Sequence, residues 1–139
     1  MKLQDALVSF LIVQVSAQTN CGSPGFTSFH PTPDLPPTPS SLLQPIHHIL
    51  LHAGNWVPIS WNVTNMPTLF YYSSTCNVSA RTTVEGTSVI IHRGNLWPWV
   101  KETVDKTRRE DGNYIGARGT AVCEPGVEVG WLVGNGVVA

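Results

Sequence analysis

A small, mainly β domain with one or two short helices, following a disordered proline-rich N-terminal arm, is the fold class this sequence predicts. Three observations lead there. Apolar and polar residues alternate over Ile59–Thr64 and again over Val127–Val133, the period-two pattern of a strand with one buried face. β-branched and aromatic residues cluster in Thr68–Tyr72 and Thr87–Ile91, as strands prefer. Seven of the eleven prolines fall between residues 23 and 45, where a fixed φ and missing N–H groups serve neither helix nor sheet. The expected organisation is a signal peptide over 1–17, a Pro/Ser/Thr-rich extended linker over 18–41, and one β-rich domain over 42–139. Low charge, an odd cysteine and the absence of any repeat also fit a second expectation: a largely disordered or poorly packed chain with no selected fold or activity.

The first element is the apolar run Ala6–Val13, which follows a start carrying Lys2 and ends in Val15-Ser16-Ala17. That is the layout of a secretory signal peptide, cut before Gln18. The run is less than half the ~20 apolar residues a membrane-spanning helix needs, so no transmembrane span is expected. Secretion decides how the cysteines and Asn-x-Ser/Thr triplets are read. In the arm, Pro31-Thr32-Pro33 and Pro36-Pro37-Thr38-Pro39-Ser40-Ser41 read as a semi-rigid polyproline II spacer suited to O-glycosylation.

Further elements follow in order. Ser41–Ala53 reads as a short helix, capped by Ser41 and stopped by Gly54. Asn55–Thr64 reads as a half-buried strand, and Thr68–Tyr72 as a second. Thr82–Val84 and Thr87–Ile91 read as a hairpin about Glu85-Gly86. Pro98–Glu110 reads as the best-formed helix, with Glu102–Lys106 and Asp105–Arg109 spaced as i,i+4 ion pairs and a narrow stripe of Val100 and Val104 that suits a sheet surface. Val127–Val133 reads as the last strand.

Composition narrows the function. The charged fraction is 12%, about half the usual ~25%, and the net charge of −1 gives no reason for a nucleic-acid partner. Between Gln18 and Ala80 the one formal charge is Asp34. An uncharged, tryptophan-bearing half needs a cover, and the sequons Asn62-Val63-Thr64 and Asn77-Val78-Ser79 offer N-linked glycan at Asn62 and Asn77. Three cysteines, Cys21, Cys76 and Cys123, leave one unpaired in an oxidising compartment. Three pairings are open, and the spare thiol offers a disulfide-linked dimer.

Motifs for chemistry are sparse. His48 and His52 have the spacing of two ligands on one helix face, but Ile49 stands where HExxH has its glutamate, which contradicts metalloprotease chemistry. No Gly-x-Ser-x-Gly elbow and no phosphate-binding glycine loop occurs, so no enzyme and no cofactor is expected. Lys106-Thr107-Arg108-Arg109 matches the basic sites cut by subtilisin-like processing enzymes. A cut after Arg109 would make the chain a precursor of a C-terminal peptide. Of five tryptophans, Trp61 and Trp131 fall in alternating strands and are expected in the core. Trp97 and Trp99 flank Pro98 and are expected as a contact surface. The resulting expectation is a small secreted glycoprotein that binds an extracellular protein or glycan without enzymatic activity.

Overall fold

The computed structural model describes residues 19–41, 56–60, 67–136 and 138. Among these residues the strands are β1 (Ser28–Pro31), β2 (Trp56–Ser60), β3 (Thr68–Tyr72), β4 (Asn77–Thr82), β5 (Ser88–His92), β6 (Ala117–Cys123) and β7 (Val127–Gly134), and the helix α1 (Leu96–Lys106) is entered through a 3-10 turn at Arg93–Asn95. Five strands form an antiparallel sheet in the order β1-β6-β7-β4-β3, and β2 pairs with β5 in a small second sheet. The chain is therefore mostly β, as predicted, with one buried core shared by both sheets and α1. The expectation of a poorly packed chain is set aside by that core. Met1–Ala17, Asn62, Trp61, His48 and His52 lie outside the described residues, as does the expected helix from Leu42 onward.

The core side of the large sheet alternates large and small residues across the strands. Phe29, Gly119, Trp131, Ala80 and Thr68 form one cross-strand row. Gly119 and Ala80 on either side of Trp131 leave room for its indole to lie along the sheet. A Cβ on Gly119 would overlap Ser28 O and come within 2.7 Å of Trp131 Cζ2. Helix α1 then packs over this row, with the rings of Trp99 and Trp131 stacked at 5.6 Å and 5°. Phe26 and Phe29 close one side, with centroids 6.1 and 6.0 Å from Trp131. Aromatic contacts of this kind add to the area they bury.

The helix departs from the sequence expectation at both ends. It starts at Leu96, two residues before Pro98, which sits in the first turn where its missing N–H costs little. It stops at Lys106, because the Thr107 hydroxyl bonds back to Thr103 O at 2.7 Å and Thr107 leaves helical geometry. Its apolar stripe is wider than Val100 and Val104: Leu96, Trp99 and Thr103 are also buried, completing an i, i+3, i+4, i+7 face. The Glu102–Lys106 pair forms at 2.9 Å, but Asp105 pairs with Lys101 at 2.7 Å, since Arg109 lies beyond the helix and reaches Asp111.

Two other expectations are corrected. The hairpin about Glu85-Gly86 does turn the chain, with Gly86 at φ 83°, but its two arms enter different sheets: β4 joins the large sheet and β5 pairs with β2. Pairing partners are chosen by the core, which the turn residues do not specify. The described part of the presumed linker is built into the fold. Ser28–Pro31 is the edge strand β1, and Thr38 exchanges backbone hydrogen bonds with Tyr114 at 2.7 and 2.8 Å. Proline is tolerated at an edge because an edge strand needs N–H donors on one side alone.

Cys21 is bonded to Cys123, 102 residues away in sequence. Of the three pairings left open, this one closes the longest loop, which by loop-closure entropy stabilises the fold by about 4–5 kcal/mol. Reduction should therefore lower the denaturant midpoint by a corresponding amount, measured on the same sample with and without reductant. Trp131→Ala should cost about 3–5 kcal/mol, and Gly119→Ala about 1–3 kcal/mol through overpacking. An unchanged midpoint for Gly119→Ala would show that the indole does not need that space.

Candidate functional site

Asn20 and Cys21, the 3-10 turn and the end of β6 come together around Asn95, which is fully buried. Its Oδ1 accepts from the backbone N–H groups of Asn20 (3.2 Å) and Cys21 (3.1 Å), and its Nδ2 donates to Asn20 Oδ1 (2.7 Å) and His92 O (2.8 Å). Asn20 in turn behaves like one more strand residue along β5: its Nδ2 donates to Ile90 O and its Oδ1 accepts from His92 N. Its own carbonyl takes the N–H of Glu124 at 2.7 Å. A buried amide with every site used is stiff, because breaking any one bond strands a desolvated group. Together with the Cys21–Cys123 bond, this network fixes residues 19–25 against the first turn of α1.

A groove of about 460 Å³ opens along that junction. Pro24 and Gly25 form one side, Trp97 and Pro98 the other, and Lys101 and Glu102 the rim. Gly25 has φ 104°, and a Cβ there would overlap Pro98 Cγ, so only glycine lets the two segments close. Its carbonyl accepts the indole N–H of Trp99 at 2.8 Å. Trp97, expected as a contact residue, is half-buried and lines the groove. Trp99 is not on this surface. Helical geometry turns it about 200° from Trp97, into the core beneath Trp131, which corrects its assignment as a binding residue. Lys101 carries a pKa above its ordinary value, because the Asp105 carboxylate accepts from its ammonium and lies close by.

The other sequence candidates fall into place separately. Asn77 is buried, and the Nδ2 that would carry a glycan donates to Gly136 O at 2.9 Å. In the folded chain that nitrogen is engaged and its residue is buried, so this packing lends no support to a sugar at Asn77. Cys76 is the unpaired cysteine and is fully buried, which corrects its role as a dimer bridge. Lys106 ends α1, while Arg108 and Arg109 are exposed at the entry to a turn closed by Gly112 N to Arg109 O at 3.0 Å. No group of three His, Cys, Asp or Glu placed to hold a metal ion occurs among the described residues.

Sequence reasoning missed Asn20, Gly25 and Asn95. Pro24-Gly25 carries a turn signal, but nothing local marks which helix it will meet. Asn95 is invisible for the same reason: its partners Cys21 and Asn20 are 74 and 75 residues away.

Burial pushes the Cys76 thiol up from 9.0 to about 12, partly offset by a hydrogen bond involving Thr38. A raised pKa means the folded state holds this proton more tightly than the unfolded chain does. Stability is then intact below about pH 9 and falls as pH rises towards about 12. The native protein should react with an aromatic disulfide reagent at pH 8 only at its unfolding rate, and should run as a monomer without reductant. Stoichiometric labelling within seconds would contradict the burial. Comparison with protein-family models and with curated proteins finds no match to this chain.

Proposed function

We propose that the chain is a secreted, non-enzymatic binding module that contacts an extracellular partner, protein or glycan, through the groove at Trp97. The observation that supports this is the placement of Trp97. A large aromatic face is left half-exposed beside two prolines, on a frame clamped by a disulfide and a saturated amide network. Rigid, amphipathic aromatic groups bind at low entropic cost. Export is supported by the Cys21–Cys123 bond, which persists in oxidising compartments. No helix among the described residues is long and apolar enough to cross a membrane.

The precursor reading is less well supported. A cut after Arg109 would separate residues 110–139, yet these include Cys123, bonded to Cys21, and strands β6 and β7 at the middle of the large sheet. Such a cut would nick the protein without releasing a peptide.

Cells expressing the full chain should export it with Gln18 as first residue. The exported protein should bind intact cell surfaces saturably, and Trp97→Ala should weaken that binding at least tenfold while leaving the unfolding midpoint within about 0.5 kcal/mol, as for surface changes generally. Retention in the cytosol with Met1 intact overturns export. Equal binding by the alanine variant overturns the role of Trp97.

A further inference from the structure

A second groove, of about 610 Å³, lies on the outer face of the large sheet. The alternation that sends Gly119 and Trp131 inward sends Arg118, Thr120 and Leu132 outward. His30 stands directly across from Arg118, and Ser28 from Thr120. Two walls rise over this floor. One is the turn carrying Asp34 and Leu35, closed by Leu35 N to Thr32 O at 3.1 Å. The other is the segment Gly136 and Val138, pinned where Val138 N donates to Ser79 Oγ at 3.0 Å.

Arg118 brings a guanidinium, with His30 across from it, while the Ser28 and Thr120 hydroxyls are hydrogen-bonded to each other at 2.9 Å. Trp131 lies beneath this floor, with its indole on the core side. The one carboxylate is Asp34, which accepts two hydrogen bonds from Arg118 Nη2, at 3.2 and 2.9 Å. Arg118 is therefore already shaped around a carboxylate. The two partners are not equally fixed. Arg118 sits mid-strand on β6, between β1 and β7, whereas Asp34 rides on a surface turn. The pair is also open to water, at 46% and 66% side-chain exposure, and exposed pairs are readily exchanged. Apolar surface from Leu35, Leu132 and Val138 completes the lining.

We propose that this groove binds an apolar monocarboxylate, whose head group replaces Asp34 on Arg118 and whose tail lies along Leu35, Leu132 and Val138. Asp34 is then a built-in competitor that keeps the guanidinium oriented while the groove is empty. The fixed partner is the cation, which selects an anionic ligand over a cationic one. The volume falls within the range typical of small-molecule sites.

The test uses the purified full chain with its disulfide intact and decanoate as probe, kept below its micelle concentration, in calorimetry and amide-shift titrations. Decanoate should bind at least tenfold more tightly than decanol or acetate, with shifts centred on residues 28–35, 118–120 and 132–138. Arg118→Gln should lose at least tenfold towards decanoate. Asp34→Asn should gain severalfold, because the competitor is removed. Unfolding midpoints of both variants establish that they fold, and Arg118→Lys, which keeps charge but not the fork, should fall between wild type and Arg118→Gln. Equal affinity for decanol, preference for decyltrimethylammonium, no binding of decanoate, or weakened binding in Asp34→Asn would each overturn the proposal. Cell-surface binding through Trp97 should be unaffected by Arg118→Gln, so this site and the proposed function can fail independently.

Discussion

The stack of Trp99 on Trp131 is the contact on which the rest of the structure depends. It holds α1 to the sheet where the Trp131 ring lies flat. That place exists because Gly119 and Ala80 flank Trp131 on the neighbouring strands. A side chain at position 119 would push either the indole or β1 outward, since Ser28 O and Trp131 crowd the site from both sides. Once the indole is down, the remaining aromatics have fixed positions: Phe26 and Phe29 against its edge, and Trp99 above. The Trp99 N–H then reaches Gly25 O, which draws the N-terminal segment over the helix. One small residue in a middle strand thus sets the position of the helix, the arm and the groove between them.

Residues 18–80 carry one charge, which suggested a surface needing a sugar coat. The structure gives a different account of part of that stretch. Cys21, Thr32, Thr38, Phe70, Cys76, Val78, Ser79 and Ala80 are buried, so part of the missing charge is missing because these positions are shielded from water. The buried polar members are partnered: Thr32 Oγ1 donates to Ile115 O and Thr38 Oγ1 to Thr75 O, which offsets the cost of removing hydroxyls from water. The threonines between the prolines, read as glycan acceptors from composition, are thereby structural donors.

Strands with bulky periodicity were legible in the sequence. β7 appears as Val127, Val129, Trp131 and Val133, and β3 as an aromatic run over its observed bounds. β6 was not legible, although it pairs with both β1 and β7. Its inward positions are Ala117, Gly119, Ala121 and Cys123, small because Trp131 and the helix occupy the space above them. Period-two patterns are recognised by large apolar residues, so a strand whose task is to make room leaves little trace. β1 was hidden for another reason: proline content argues against strands in general, yet an edge needs half the donors of a middle strand. The groove beside Trp97 was legible in part. Trp-Pro-Trp marked an aromatic cluster, but the helix begins at Leu96, and starting two residues earlier is what sends Trp99 inward. The outer groove left no local signal, because Asp34 and Arg118 are 84 residues apart.

The proline-bearing edge also bears on why the exposed end of the large sheet does not invite aggregation. An unpaired strand edge is a template for other chains. β1 ends at Pro31, Pro33 follows, and the chain then turns through Asp34 and Leu35 instead of continuing along the sheet. The small sheet meets the same hazard at β5, where the Asn20 side chain supplies the donor and acceptor that a further strand would offer. At both edges the residues that stop pairing also border a groove: Asp34 and Leu35 on the outer face, and the Thr19–Gly25 segment beside Trp97. Both grooves of this fold thus lie where the sheet is prevented from growing.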